Sequence, residues 1–219
     1  MLKTKFKFED WKLAIQLFIE DSYLYKFDLI SCYHYFDICA QQQTYLGFSW
    51  NGKYFCFAVL VFGLSSSPYL FTKCLREMVK YWRKNAIKIV LYFDDGFGMS
   101  DSFGECKKDS LFVKQSLIDA GFLINEEKSI LVPTQKLEWL GILWDSQQFS
   151  LSIPDRHISD LLCSVTHIID FFPVFTAREL AQVTGKVISL SPVIGNPTRL
   201  MTRHCYMSIE TRSCWDKTN

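Results

Sequence analysis

The sequence predicts an α+β fold: hairpins and helices mixed through residue 153, then helices alone. Three observations lead there. Apolar runs of strand length alternate with segments of helical spacing. Asn51-Gly52 stands between two aromatic arms, a strong two-residue hairpin signal. Beyond Pro154 only helical spacing recurs. With 219 residues, 49% hydrophobic and 16% aromatic, the chain has the apolar content for a real core.

The elements follow in order. Trp11, Ala14, Ile15 and Phe18 fall at helical spacing behind Glu9-Asp10 and predict a short amphipathic helix. Tyr23 to Phe27 reads as a strand that ends in Asp28. Thr44–Trp50 and Lys53–Leu60 are the arms of the hairpin. The second arm is apolar on both faces, which predicts a buried strand. Gly63 to Pro68 break the pattern. There a serine cap, with proline near the first turn, opens a helix to Arg83 that places Phe71, Leu75 and Met78 on one face. Ile87 to Phe93 is another strand, with Asp95-Gly96 as a turn signal behind it. A helix from Phe103 to Ala120 stops at Gly121. Leu137–Leu143 and Phe149–Ile153 predict a further hairpin, and helices at 155–171 and 176–190 are divided by Phe172-Pro173.

Charge and cysteine usage exclude several classes. With 24 basic and 23 acidic residues the formal charge is only +1, so a basic surface must come from local clustering. The eight cysteines form no C-x-x-C pair, and His34, His157, His167 and His204 add no zinc-like spacing. Cys56 and Cys74 lie in apolar runs and read as small hydrophobes of a reduced, intracellular chain. Met1–Lys7 lacks the apolar core of a signal peptide, and Tyr54–Leu64, the longest apolar stretch, is too short to span a bilayer. No membrane role is expected.

The chemistry-bearing stretch is Tyr92-Phe93-Asp94-Asp95, where two adjacent carboxylates end an apolar run; Asp28 ends a similar one. Two strands that deliver acid at their ends can hold a pair of divalent cations. Ions ~3.5–4 Å apart clamp the attacking and leaving oxygens of a phosphoryl transfer. Magnesium suits such a site because it takes carboxylate oxygens plus substrate phosphates. Nucleotidyl transfer is the reading this pattern supports. Asp-Asp-Gly between apolar runs is also an ordinary turn, and only a turn lets both carboxylates reach one site.

Longer blocks carry a resemblance. Phe27-Asp28-Leu29-Ile30-Ser31-Cys32-Tyr33-His34, Phe62-Gly63-Leu64-Ser65-Ser66-Ser67-Pro68, Tyr92-Phe93-Asp94-Asp95-Gly96, Gly121–Ser129 and Leu137-Glu138-Trp139-Leu140-Gly141 stand in one order. Together they resemble the palm of a reverse transcriptase from a retrotransposon of the DIRS-like or gypsy-like kind. A weaker likeness continues through Arg199–His204. The resemblance implies a polymerase palm over residues 24–153, a thumb-like helical region over 154–219, and a linking remnant over 1–23. It implies that Asp28, Asp94 and Asp95 are catalytic. They would bind two magnesium ions, with manganese as a substitute, and the Leu29 carbonyl would join them. Tyr33 would exclude a ribose 2′-hydroxyl, Phe62 and Gly63 would line the nucleotide, and Lys128 would meet the leaving pyrophosphate. Tyr92, Phe93, Trp139, Leu140 and Gly141 would contact the primer. Arg178, Lys186, Arg199, Arg203 and Arg212 would meet backbone phosphates.

The implied partners are an RNA or DNA template, a DNA primer and deoxynucleoside triphosphates. Ile30, Cys32 and Val61 depart from residues common in such elements, namely lysine, glycine and proline. The family's fingers and ribonuclease H regions are expected to be absent, as in a polymerase truncated at both ends. The alternative to an active fragment is an incompetent remnant that binds nucleic acid weakly at most.

Overall fold

The computed structural model describes residues 7–172, 174–211, 215 and 216. Pro173, Arg212 and most of Met1–Lys7, on which expectations above fall, lie outside them. The chain forms two compact units. The first runs to Leu137 and takes in Ser146–Phe149; the second holds Glu138–Asp145 and the chain from Ser150 onward.

The first unit is an antiparallel sheet backed by helices. Helix α1 (Trp11–Leu17) is capped by Asp10, whose carboxylate accepts from the Lys12 amide at 3.0 Å. Strand β1 (Tyr23–Asp28) follows, then a 3-10 turn at Cys32–Tyr35 and a short helix α2 (Ala40–Gln43). Strands β2 (Gly47–Trp50) and β3 (Lys53–Cys56) make a separate hairpin. Helix α3 (Ser67–Lys84), strands β4 (Lys88–Tyr92) and β5 (Asp95–Ser100), helix α4 (Phe103–Asp119) and strand β6 (Ile130–Thr134) complete the unit. The main sheet has the order β4-β5-β1-β6, every neighbour antiparallel.

Strand alternation divides β1 into two faces. Tyr25 and Phe27 point to the core with Phe71, Leu75, Val79 and Trp82 of α3 and Cys106, Val113 and Leu117 of α4. Each such side chain, fully buried, contributes ~1.5–3 kcal/mol. Trp82 also donates its indole N–H to Ser116 Oγ at 2.7 Å, tying α3 to α4. Two glycines of β5 make room for the rings. A Cβ on Gly96 would lie 2.1 Å from the Phe27 ring, and one on Gly98 2.1 Å from the Tyr25 ring. Lys26 and Asp28 share the opposite face.

Several expectations are corrected here. Asp95-Gly96 is not the turn of the β4–β5 hairpin. Tyr92 pairs with Asp95, so the turn is Phe93–Asp94, with Phe93 at φ 53°. The strand part of the expected second arm is not buried: β2 and β3 are exposed at every residue, Tyr54 is 90% exposed, and burial begins at the arm's end with Leu60. The turn itself is as expected, with φ 49° and 72° at its two residues. Cys56 and Cys74 are exposed; among the described cysteines Cys106 is the buried one. Ser66 stands at the N-cap of α3 without a capping side-chain bond. Strand β6 lies outside the expected elements; its Pro133, which cannot donate to a ladder, is tolerated because β6 is at the sheet edge.

The second unit holds most of a three-stranded sheet, order β7-β8-β9: β7 (Lys136–Trp139), β8 (Ile142–Asp145) and β9 (Ser150–Ser152). The expected single arm from 137 to 143 is broken, because Leu140 and Gly141 turn at φ 50° and 71°. Helices α5 (Asp155–Asp170) and α6 (Ala177–Ser189) lie close to the expected ranges. Thr176 and Glu179 form a capping box at the start of α6. Helices α7 (Ser191–Ile194) and α8 (Pro197–Glu210) follow, each with proline in its first turn. Ala177, Leu180 and Thr184 of α6 are buried, as are Thr198 and Thr202 of α8.

Candidate active site

The ends of β1 and of the β4–β5 hairpin bring the three predicted aspartates together. Asp28 and Asp95 are register partners across the β1–β5 ladder. Directly opposed residues of an antiparallel pair point to the same face, where like charges cost stability. Asp94 lies in the adjoining turn, and its carbonyl accepts from the Leu29 amide at 3.1 Å. That bond joins the hairpin turn to the residue after Asp28. The Asp28 side chain is only 16% exposed.

Crowding shows in the acidities. Burial, more than anything else, pushes Asp95 up to about 6; the charges of Asp94 and Asp28 and a hydrogen bond with Asp28 push the same way. Lys26 opposes them weakly. Asp94 is also raised, by burial and then by Asp28, against its own backbone hydrogen bond and Lys128. Three carboxylates thus share one small region with little positive charge. Lys128 Nζ stands 3.9 Å from Asp28 Oδ2, and its side chain is 69% exposed.

This donor set fits a hard divalent cation, since it offers carboxylate oxygens and an excess of negative charge. Among the described residues no group of three or more His, Cys, Asp or Glu side chains forms a cage that could hold a metal ion, and the three aspartates alone do not form one. Magnesium seldom uses such a cage; it keeps waters and takes substrate phosphates as its remaining ligands.

The neighbouring predicted residues fall around this pair of strands. Ser31, at φ 51°, turns the chain from β1 into the 3-10 turn that carries Tyr33. Tyr33 is buried, with its ring 4.8 Å from Phe62 and edge-on to Phe71 at 5.4 Å. Phe62 is 67% exposed, so its ring offers an open apolar surface beside Tyr33. Gly63 takes a backbone angle that favours glycine, φ 83°, and no protein atom lies within 4 Å of a Cβ there, so this stretch of backbone is open. The Phe93 ring lies 4.0 Å from Phe8 and 5.1 Å from Tyr92.

Trp139, Leu140 and Gly141 belong to the second unit. Trp139 is buried against Trp144, whose indole N–H donates to the Trp139 carbonyl at 3.3 Å, while Leu140 and Gly141 form the turn. Two supports went unforeseen. Arg156 pairs with Glu138, and His157 Nε2 lies 3.7 Å from the same carboxylate and beside Gly141. Of the expected phosphate-binding cations, Arg178 is engaged by Asp216 at 2.6 Å and Lys186 by Asp160 at 2.7 Å. Arg199 and Arg203 are exposed on α8.

An antiparallel sheet that presents acids from one strand end and an adjacent hairpin, backed by two helices, is a polymerase palm. The chain belongs to the reverse transcriptase (RNA-dependent DNA polymerase) family, whose model matches residues 6–143, more than half of the sequence. Solved structures agree in fold. One is a foamy viral protease-reverse transcriptase in complex with an RNA/DNA hybrid: 20% identical, TM-score 0.72, with 97% of this chain and 27% of that one covered. Another is the same kind of protein with double-stranded DNA: 19% identical, TM-score 0.72, covering 100% and 36%. The native prototype foamy virus protease-reverse transcriptase matches at 20% identity and TM-score 0.59, covering 95% and 29%. The chain thus spans about a third of the length of these relatives. Among the described residues no helix is long and apolar enough to cross a membrane.

Proposed function

We propose that this chain carries the polymerising site of an RNA-directed DNA polymerase of the retrotransposon kind. The site would extend a DNA primer on an RNA or DNA template with deoxynucleoside triphosphates. The observation that carries the reading is the pairing of Asp28 with Asp95 across the ladder, with Asp94 in the adjoining turn.

Each residue has a task in this reading. Asp28, Asp94 and Asp95, with the Leu29 carbonyl, would hold two magnesium ions, which when bound would supply acidification of the primer 3′-hydroxyl and positive charge for the leaving pyrophosphate. The Tyr33 ring, fixed between Phe62 and Phe71, excludes a 2′-hydroxyl from the sugar position. Phe62 and Gly63 line the nucleotide, and the Lys128 ammonium delivers positive charge, or a proton, to the leaving group. Tyr92 and Phe93 would contact the primer end, while Trp139 and the Leu140–Gly141 turn behind it would grip the primer strand. Positioning and charge, rather than covalent chemistry, are the protein's share.

The test is single-nucleotide incorporation with purified chain in excess over a primed template, with divalent-cation binding read alongside. The chain is expected to bind Mn2+ and to show little or no processive synthesis. Asp94→Asn should reduce both binding and any incorporation by at least about 100-fold. A wild-type chain that binds no divalent cation, and matches Asp94→Asn in every assay, would sink the reading.

A further inference from the structure

The segment after α4 engages both backbone groups of Asp28. The Asn125 amide donates to the Asp28 carbonyl at 2.8 Å, and the Asp28 amide donates to Ser129 Oγ at 3.0 Å. The turn between those two contacts is closed on itself. The Ser129 amide donates to the Asn125 carbonyl at 3.0 Å, and the Lys128 amide to Asn125 Oδ1 at 3.4 Å. Further bonds anchor the segment at its start. The Ile30 amide donates to the Leu123 carbonyl at 2.9 Å, and the Leu123 amide donates to the Tyr35 hydroxyl at 2.9 Å. Tyr35 stands in the same 3-10 turn as Tyr33.

We infer that Ser129 is a positioning residue for Asp28. Its hydroxyl holds the amide of the residue that must present a carboxylate to the cations. This inference rests on the proposed metal-dependent site. Asp28 is the last residue of β1, where the ladder to β5 ends, and its register contacts with β6 are confined to Leu24 and Lys26. The amide of a half-buried strand end needs an acceptor. Ser129 supplies it from 101 residues away in sequence. Without that acceptor the strand end loses a restraint at the point where two like charges, Asp28 and Asp95, push each other apart. Because Lys128 precedes Ser129, the same contact also fixes where the lysine stem leaves the turn, 3.9 Å from Asp28 at its tip. Groups that orient a metal ligand from behind commonly govern affinity as strongly as this. Their loss costs ~10–100-fold.

Three readouts on the purified chain test it: Mn2+ affinity, thermal stability and deuterium exchange at the Asp28 amide. Ser129→Ala is expected to weaken Mn2+ binding about tenfold and to speed exchange at Asp28. Ser129→Thr, which keeps the hydroxyl, should restore affinity to within about threefold. A purely structural serine would lower the melting temperature without selective loss of Mn2+ affinity and without rescue by threonine. Wild-type affinity in Ser129→Ala, alongside lost binding in Asp28→Asn, would overturn the inference and leave the proposed site standing. Absence of Mn2+ binding in the wild type would overturn both. Should Ser129→Ala not fold, the wild-type protein still decides. An Asp28 amide that exchanges as fast as an open loop has no Ser129 acceptor.

Discussion

Two hairpins with two-residue turns, β2–β3 and β4–β5, end in opposite surroundings. In β4–β5 the central residues Ile89, Val90, Phe97 and Met99 are almost wholly buried. In β2–β3 every residue is exposed, and the Phe48 ring packs on Phe55 at 5.5 Å and on Phe57, just past β3, at 4.8 Å. Turn chemistry also differs. Asn51-Gly52 adopts positive φ because its residues favour it, whereas Phe93 does so against its own preference. The lesson is that a local turn signal needs no tertiary support, while an unfavourable turn persists only where packing and hydrogen bonds hold it. Here the Leu29-to-Asp94 bond and the Phe8–Phe93 contact do so.

This contrast can be broken experimentally. The largest effect is expected from Gly96→Ala, which drives a Cβ to 2.1 Å from the Phe27 ring. That ring is itself fixed edge-on to Trp82, so relief must come from the core, at a cost above ~3 kcal/mol. Urea denaturation would measure it. A loss below ~1 kcal/mol would mean that the buried hairpin is as adaptable as the exposed one.

The next effect concerns pH. Asp95 is held up to about 6, above an ordinary carboxylate, so the folded chain keeps a proton that the unfolded chain releases earlier. Metal-free stability should therefore fall as pH rises from ~4 through ~6. After solvent screening of this half-buried group the loss is about 1–2 kcal/mol. Asp95→Asn should flatten that slope, and Mg2+ should restore stability above it. Melting temperatures across the window, with and without Mg2+, provide the measurement, and a flat wild-type curve would contradict the crowding of the three aspartates.

The smallest effects belong to the exposed hairpin. Gly52→Ala, at φ 72° with open space around it, should cost about 1 kcal/mol from backbone strain alone. Tyr54→Ser, at a residue 90% exposed, should change stability by less than ~0.5 kcal/mol. Larger losses would show that this hairpin is covered in solution.

Much of the fold could be read from the residues. Helices α1, α3 and α4 stand out because their apolar spacing and end signals agree: Asp10 before α1, Pro68 in α3, Gly121 after α4. Strand β6, which carries Pro133, lay outside the expected elements, and the break in the 137–143 arm was hidden by a Leu-Gly turn without the usual asparagine or aspartate. The aspartates were legible as strand-end acids, and Lys128 by its block. Asn125, Ser129 and Glu138 stand inside the resembling blocks, but neither their type nor their spacing marks them, or His157, as supports.

By itself the sequence determined most of the helices, the strands that end in acid, the Asn51-Gly52 turn and the three acids, because these depend on local periodicity, backbone preference and residue chemistry. Tertiary structure alone decided which hairpin is buried, which residues turn at Phe93–Asp94, and which hydroxyl meets the Asp28 amide. Those outcomes turn on contacts between residues up to about a hundred positions apart, as Asp28 and Ser129 are, 101 residues from each other. No local pattern records a contact of that kind.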